Sequence, residues 1–214
     1  MLRSPFFWLI LSLIALLLLT TLAPAEKSLG TNVRVVYLHG VWVWAALAAF
    51  LLAGIVGSVG LILRSDSIHG WSRALGRTGL TFWITYLPIS ILAMQANWNG
   101  LFLTEPRWRM AMIFAITGLL LQAGLTLLGR PVWASIGNII YLVALFMAIR
   151  TTENVMHPPS PILNSNAPRI QLYFGVLLLL TFFAAWQTAR IWHLLEKAHP
   201  EENRLSQEPS SPLL

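Results

Sequence analysis

The sequence contains no cysteine among its 214 residues. A disulfide, an iron–sulfur cluster and a thiolate zinc site all require cysteine, so the chain forms none of them. Any metal chemistry must use histidine, carboxylate or methionine side chains. Charge is also scarce, because 10% of the residues are charged while 57% are hydrophobic. This composition indicates a membrane protein and excludes an ordinary soluble domain.

Stretches without any charged residue occur six times along the chain. They are residues 4–25, 40–63, 78–94, 110–129, 131–149 and 170–189. Each is long enough to cross about 30 Å of hydrocarbon as a helix that rises about 1.5 Å per residue. We therefore predict an all-α, polytopic membrane protein with six transmembrane helices. Residues 1–193 would form the membrane domain, and residues 194–214 a disordered tail that is too polar to pack.

The first stretch also has features of a secretory signal. Arg3 precedes it, and it ends with the small-residue sequence Ala23-Pro24-Ala25. The apolar run from Phe6 to Ala23 is longer than a usual signal core, and proline disfavours cleavage at this position. We expect this stretch to be retained as the first helix.

Basic residues in the loops predict the orientation, because successive loops alternate between the two membrane faces. The first face carries Arg3, Arg64, Arg73, Arg77, Arg130, Arg190, Lys197 and Arg204, and the second carries Lys27, Arg34, Arg107, Arg109, Arg150 and Arg169. The positive-inside rule narrowly favours cytoplasmic N- and C-termini in the inner (plasma) membrane. The five outer arginines either bind an anionic ligand or snorkel to the interface. The basic residues are spread over the loops and form no basic cluster of the kind that binds nucleic acid, so we expect no nucleic-acid partner.

The five histidines divide by the face on which the topology places them. His69, His193 and His199 lie on the inner face beside charged residues, and we predict that they are hydrated. His39 and His157 lie on the outer face, with aromatic residues between them. Two imidazoles are too few for a four-coordinate zinc site, but they are the axial ligands that haem requires. The alternative is that both are ordinary interface residues within an aromatic belt.

Three segments of the outer face carry a more specific pattern. APAEKSLGTNVRVVYLHGVW, which contains His39, leads from a small-residue linker through an arginine into Y-L-H. WNGLFLTEPR, residues 98–107, aligns without a gap on the pattern W-G-x-x-W-x-W-D-P-R, and ENVMHPPS aligns on W-N-T-L-H-Q with Asn154 and His157 at matching positions. Together, in this order and at comparable spacing, the three segments resemble CcmC-type cytochrome c assembly proteins.

The resemblance implies a haem-handling protein that presents haem b at its external face for cytochrome c maturation. By this resemblance His39 and His157 are the axial ligands of the iron, Trp98 and Phe102 belong to an aromatic platform, and Arg107 holds a propionate. The implied partners are a membrane-anchored haem chaperone and an ABC-type transporter complex. The protein would bind and transfer haem without acting as an enzyme.

The sequence departs from the family pattern within the outer loop. Phe102 and Thr104 stand where the pattern has its second and third tryptophans. Glu105 replaces the aspartate, and Asn99 replaces the glycine. Phe102 keeps an aromatic face, whereas threonine cannot cover a porphyrin in the same way. We therefore expect a divergent member of the family.

Two other functions fit the same six-helix plan. The first is a non-haem membrane transporter or structural subunit that keeps the fold, although the predicted helix interiors lack the ionisable residues that a substrate path normally needs. The second is an electron-transfer subunit with haem buried between its helices. The lack of histidine in the predicted helix interiors disfavours that function.

Overall fold

Six α-helices make up most of the computed structural model, which describes residues 4–153, 155 and 162–205, with side chains through Lys197 in the last helix. The helices are α1 (Pro5–Leu22), α2 (Val33–Leu63), α3 (Asp66–Trp98), α4 (Pro106–Leu128), α5 (Pro131–Thr151) and α6 (Pro168–Leu205). All six are long and apolar enough to cross a membrane. The prediction of an all-α, multi-pass membrane protein with six transmembrane helices is confirmed.

Five of the six helices are longer than the charge-free stretches that predicted them, and α2, α3 and α6 differ most. The helix α2 begins at Val33 rather than at residue 40, and α3 begins at Asp66 rather than at residue 78. The prediction of an inner loop over residues 64–77 is therefore wrong. The connection between α2 and α3 consists of Arg64, which has a left-handed backbone (φ 52°), and Ser65. Charged residues ended the predicted stretches, but arginine and lysine are good helix formers.

The helix α6 also extends beyond its predicted end. Its backbone stays helical to Leu205, so the part of the chain predicted to be a disordered tail begins as helix. The residues Leu194, Leu195 and Glu196 belong to this extension of α6. Glu196 forms an ion pair with Arg77 of α3. Tertiary contact therefore continues past the point where the sequence becomes polar.

Close packing of α2 against α3 and α5 forms the centre of the bundle. Small residues of α2 permit this approach, because Ala45, Ala46 and Ala53 are fully buried. Gly57 is equally close to its neighbours, since a Cβ there would lie 2.9 Å from the Oγ of Ser72 and 3.2 Å from the Cα of Ser135. Helices in lipid associate through such close contacts, because burial from water contributes nothing between lipid-facing surfaces.

The bundle has two ends, which hydrogen bonds between helices define. At the first end, Asn32 before α2 donates from its side-chain amide to the carbonyl of Ala96 in α3 (2.7 Å), and the Tyr173 hydroxyl of α6 donates to the carbonyl of Leu19 in α1 (2.6 Å). We call this the His39 end. The opposite end holds the α2–α3 and α4–α5 connections, and we call it the His69 end.

Replacing Gly57 by alanine should destabilise the bundle by about 1–3 kcal/mol, because the new methyl group would push against the α5 backbone at Ser135. The matched control is Gly124→Ala, where a Cβ meets nothing within 4 Å and better helix propensity should add up to about 1 kcal/mol of stability. Thermal unfolding in detergent, followed by tryptophan fluorescence, measures both. Equal melting temperatures would contradict the packing of α2 on α5.

Candidate functional site

His39 lies near the end of the second turn of α2, and its ring packs against α3. Its ring contacts Tyr86, with ring centroids 5.2 Å apart and planes inclined by 52°. The side chain is half-buried, and its Nδ1 atom is fully enclosed. One turn further along, Trp42 donates its indole N–H to the hydroxyl of Thr85 (2.9 Å). The α2–α3 contact therefore holds the His39 ring in a defined place.

Arg107 belongs to the first turn of α4, at the same end of the bundle as His39. Glu105 caps α4 by accepting the backbone N–H of Trp108 (2.6 Å), which orients this first turn. His39 and Arg107 therefore lie at the same end of the bundle, although they come from different helices.

Two buried donors at the start of α4 have no hydrogen-bond acceptor in the part of the chain that the structure describes. They are the Nε of Arg107 and the indole nitrogen of Trp108. Buried donors are normally paired, so their presence here is unusual. The start of α4 can therefore donate hydrogen bonds to an added acceptor such as a carboxylate.

Trp98 and Phe102 form an exposed apolar tip beyond His39. Trp98 ends α3, and Phe102 follows in the connection to α4, each with 39% of its surface exposed. Twelve residues of helix separate Tyr86 from Trp98, which corresponds to roughly 18 Å along the axis. The structure places His39 and Arg107 at the same end of the bundle, and the two aromatic residues lie nearer its tip. His157, the second predicted ligand, lies outside the described residues.

An open groove at the same end was not anticipated from the sequence. It has a volume of ≈ 480 Å³ and lies between α4 and α5, with Arg109, Met110 and Thr152 in its wall. His39, Trp98, Phe102 and Arg107 do not line this groove. Arg109 had been counted only as one of five outer arginines. Arg109 follows Arg107 by two residues, so the two side chains lie on different faces of α4, and that of Arg109 lines the groove.

The histidines of the opposite end are buried, so the prediction that His69 and His193 are hydrated is wrong. His69 is 3% exposed, and its Nδ1 shares a 2.7 Å hydrogen bond with the hydroxyl of Ser135. His193 is 7% exposed and stacks on Trp71, with centroids 4.1 Å apart. The predicted helices did not include these residues, whereas the observed helices α3 and α6 do and place both rings between neighbouring helices. His69 of α3 contacts Ser135 of α5, whereas His193 of α6 contacts Trp71 of α3. The two rings therefore do not form a two-histidine site.

Polar side chains missed in the sequence analysis link α3, α4 and α5 near His69. Asn138 donates from its side-chain amide to the carbonyl of Ser72 (2.8 Å) and accepts a hydrogen bond from Gln122 (3.2 Å). The Ser72 hydroxyl donates in turn to the carbonyl of Ala53 (2.8 Å). Such contacts commonly hold membrane helices together. No group of three or more histidines and carboxylates suited to a metal ion occurs in the described part of the chain.

Comparisons with protein-family models, with curated proteins and with solved structures find no match to this chain.

The turn between α1 and α2 leads into the helix that carries His39, and Glu26 organises it. Hydrogen bonds from the backbone N–H groups of Leu29 (2.9 Å) and Ser28 (2.7 Å) lower the pKa of this exposed carboxyl. Its stabilising effect on the turn should be present above the unfolded-state pKa and lost as pH falls through the lowered folded-state pKa. A carboxyl ¹³C NMR titration in micelles should show this ordering. Identical pKa values in the folded and denatured protein would contradict the turn geometry.

Proposed function

We propose that this chain is a haem-handling membrane protein that holds haem b at the His39 end and delivers it for cytochrome c maturation. The observation that carries the proposal is that one end of the bundle holds both His39, whose ring packs on Tyr86, and Arg107, whose buried Nε has no acceptor among the described residues. An imidazole for the iron and a guanidinium for a propionate are the two kinds of protein group that an anionic haem most needs.

The residues of this end suit haem in three respects. The α2–α3 contact restrains the His39 ring, which favours a fixed ligand orientation. The Nε of Arg107 has no acceptor among the described residues and is suited to a propionate. Trp98, Phe102 and neighbouring exposed leucines offer apolar surface to the macrocycle. Bound haem would supply iron with two axial positions, and this chain would supply ligation, orientation and charge compensation.

The proposed orientation places the His39 end outside the inner membrane and both termini in the cytoplasm. The larger number of basic residues at the His69 end supports this orientation. His157 would supply the second axial ligand. The recipient would be a membrane-anchored haem chaperone, and an ABC-type transporter complex would be a further partner.

A membrane transporter is the second candidate function, and the buried polar residues near His69 favour it. The chain from Ser72 through Asn138 to Gln122 crosses three helices within the bundle. Polar groups buried between transmembrane helices can line a substrate path. A transporter would require these residues and would not require His39, so substitution of His39 separates the two functions.

Substitution of either proposed ligand, His39→Ala or His157→Ala, should lower the haem content of protein purified from haem-replete cells at least several-fold. The reason is the loss of one axial nitrogen. The matched control is His199→Ala, in the polar sequence near the other end of the chain, and it should retain wild-type content. A pyridine haemochrome assay measures all three. Equal haem content in the three variants would contradict the ligand assignment.

Restoring the family's aromatic residues should strengthen haem retention. Phe102 and Thr104 are both exposed, so the double variant Phe102→Trp/Thr104→Trp has room for two indole rings. The added apolar and stacking contact should be on the order of 1–3 kcal/mol. The half-time of haem loss to excess apomyoglobin measures the effect. Leu127→Trp, on a lipid-facing surface near the His69 end, is the control, and an equal gain in that variant would contradict the proposed platform.

A further inference from the structure

A second charged cluster lies at the His69 end, between α3 and α6. The Nη1 of Arg77 is 2.9 Å from the Oε1 of Glu196, and the Nε of Arg73 is 4.0 Å from the same oxygen. All three side chains are largely enclosed, with 12% of Arg73, 18% of Arg77 and 14% of Glu196 exposed. Two cations therefore share one carboxylate in a site with little access to water.

The two arginines of this cluster differ in how well their donors are used. Arg77 also donates to the hydroxyl of Thr126 (3.0 Å) and lies over the ring of Trp192, 5.4 Å from its centroid. Arg73 has neither kind of contact. Its Nε and Nη2 atoms are buried, and no described residue accepts a hydrogen bond from them. Arg73 is consequently the less well compensated cation of the cluster, with only the 4.0 Å ion pair to Glu196.

A buried cation with unpaired donors is unfavourable, because those donors have lost hydration without gaining a hydrogen-bond acceptor. The carboxylate of Glu196 is already engaged by Arg77 at the shorter distance. Asp66, the other carboxylate that the structure describes at this end, forms no ion pair with either arginine. An anion from outside the described chain would complete the site.

The height of Arg73 in the membrane indicates which anion is available. Arg73 lies five residues before Thr78, where the charge-free part of α3 begins, and this corresponds to roughly 7.5 Å along the helix. Trp192 lies against Arg77, and Trp71 precedes Arg73 by two residues, as aromatic residues do at the level of lipid headgroups. Phosphate is the anion of that layer, and a guanidinium can bind it through two parallel hydrogen bonds.

We propose that Arg73, assisted by the neighbouring Arg77, binds the phosphate of an anionic phospholipid between α3 and α6. Basic sites between transmembrane helices at this level are suited to anionic headgroups. Binding would join the two helices by supplying the negative charge that Glu196 alone does not provide. This site lies at the opposite end from His39 and does not depend on the haem proposal.

The test compares the melting temperature of the full chain in detergent with added phosphatidylglycerol or with added phosphatidylcholine. Phosphatidylglycerol should raise the melting temperature of the wild type, because a ligand of the folded state stabilises it. Arg73→Gln should abolish most of this rise, and Arg73→Lys should retain part of it. Arg130→Gln, an exposed position at the same end, removes the same charge and should leave the rise intact.

Three results would overturn the proposal. An equal loss in Arg73→Gln and Arg130→Gln would show that the lipid responds only to net charge. The same rise with inorganic phosphate, compared with chloride at equal ionic strength, would assign the site to free phosphate rather than to lipid. If phosphatidylglycerol raises the melting temperature of Glu201→Gln/Glu202→Gln but not that of the wild type, the chain's own carboxylates occupy Arg73. With phosphatidylcholine alone, Arg73→Gln should melt no lower than the wild type, and this result also shows that the variant folds.

Discussion

The close contact of α2 with α3 and α5 is the interaction on which the rest of this bundle depends. Hydrocarbon offers no hydrophobic driving force between helices, so association must come from close packing and polar contacts. Gly57 and Gly60 supply the first, since Cβ atoms there would press on Ser72 and His69. The His69–Ser135 hydrogen bond contributes the second. Together they join the helices at one end, and the continuous helices α2 and α3 carry that arrangement to His39 and Tyr86.

The number of helices could be predicted from the sequence, whereas their ends could not. A charge-free stretch of about 20 residues has one common outcome in lipid, because every backbone polar group must be satisfied within the helix. The ends depend on tertiary contacts that composition does not report. Arg77 is accommodated within a helix because it forms an ion pair with Glu196 of α6. His69 is buried because Gly60 leaves space for its ring.

The proposed haem site shows the same division. Sequence patterns selected His39, Trp98, Phe102 and Arg107, and all four belong to the His39 end of the bundle. Their mutual arrangement required the structure, because Tyr86, on which the His39 ring packs, belongs to no motif. The two ends also differ in chemistry. One combines exposed aromatic residues with a buried arginine donor, and the other gathers buried histidines, amides and an incompletely neutralised arginine pair.

The central claim is that the folded chain forms a defined haem site, and a titration of the purified wild-type protein with ferric haem tests it most directly. The account predicts a saturable change of the Soret band at one haem per chain, with the low-spin spectrum that two axial nitrogen ligands produce. A spectrum that remains the sum of free haem and detergent at every ratio would contradict the account. The buried polar chain near His69 would then be the part of the structure from which to derive its function.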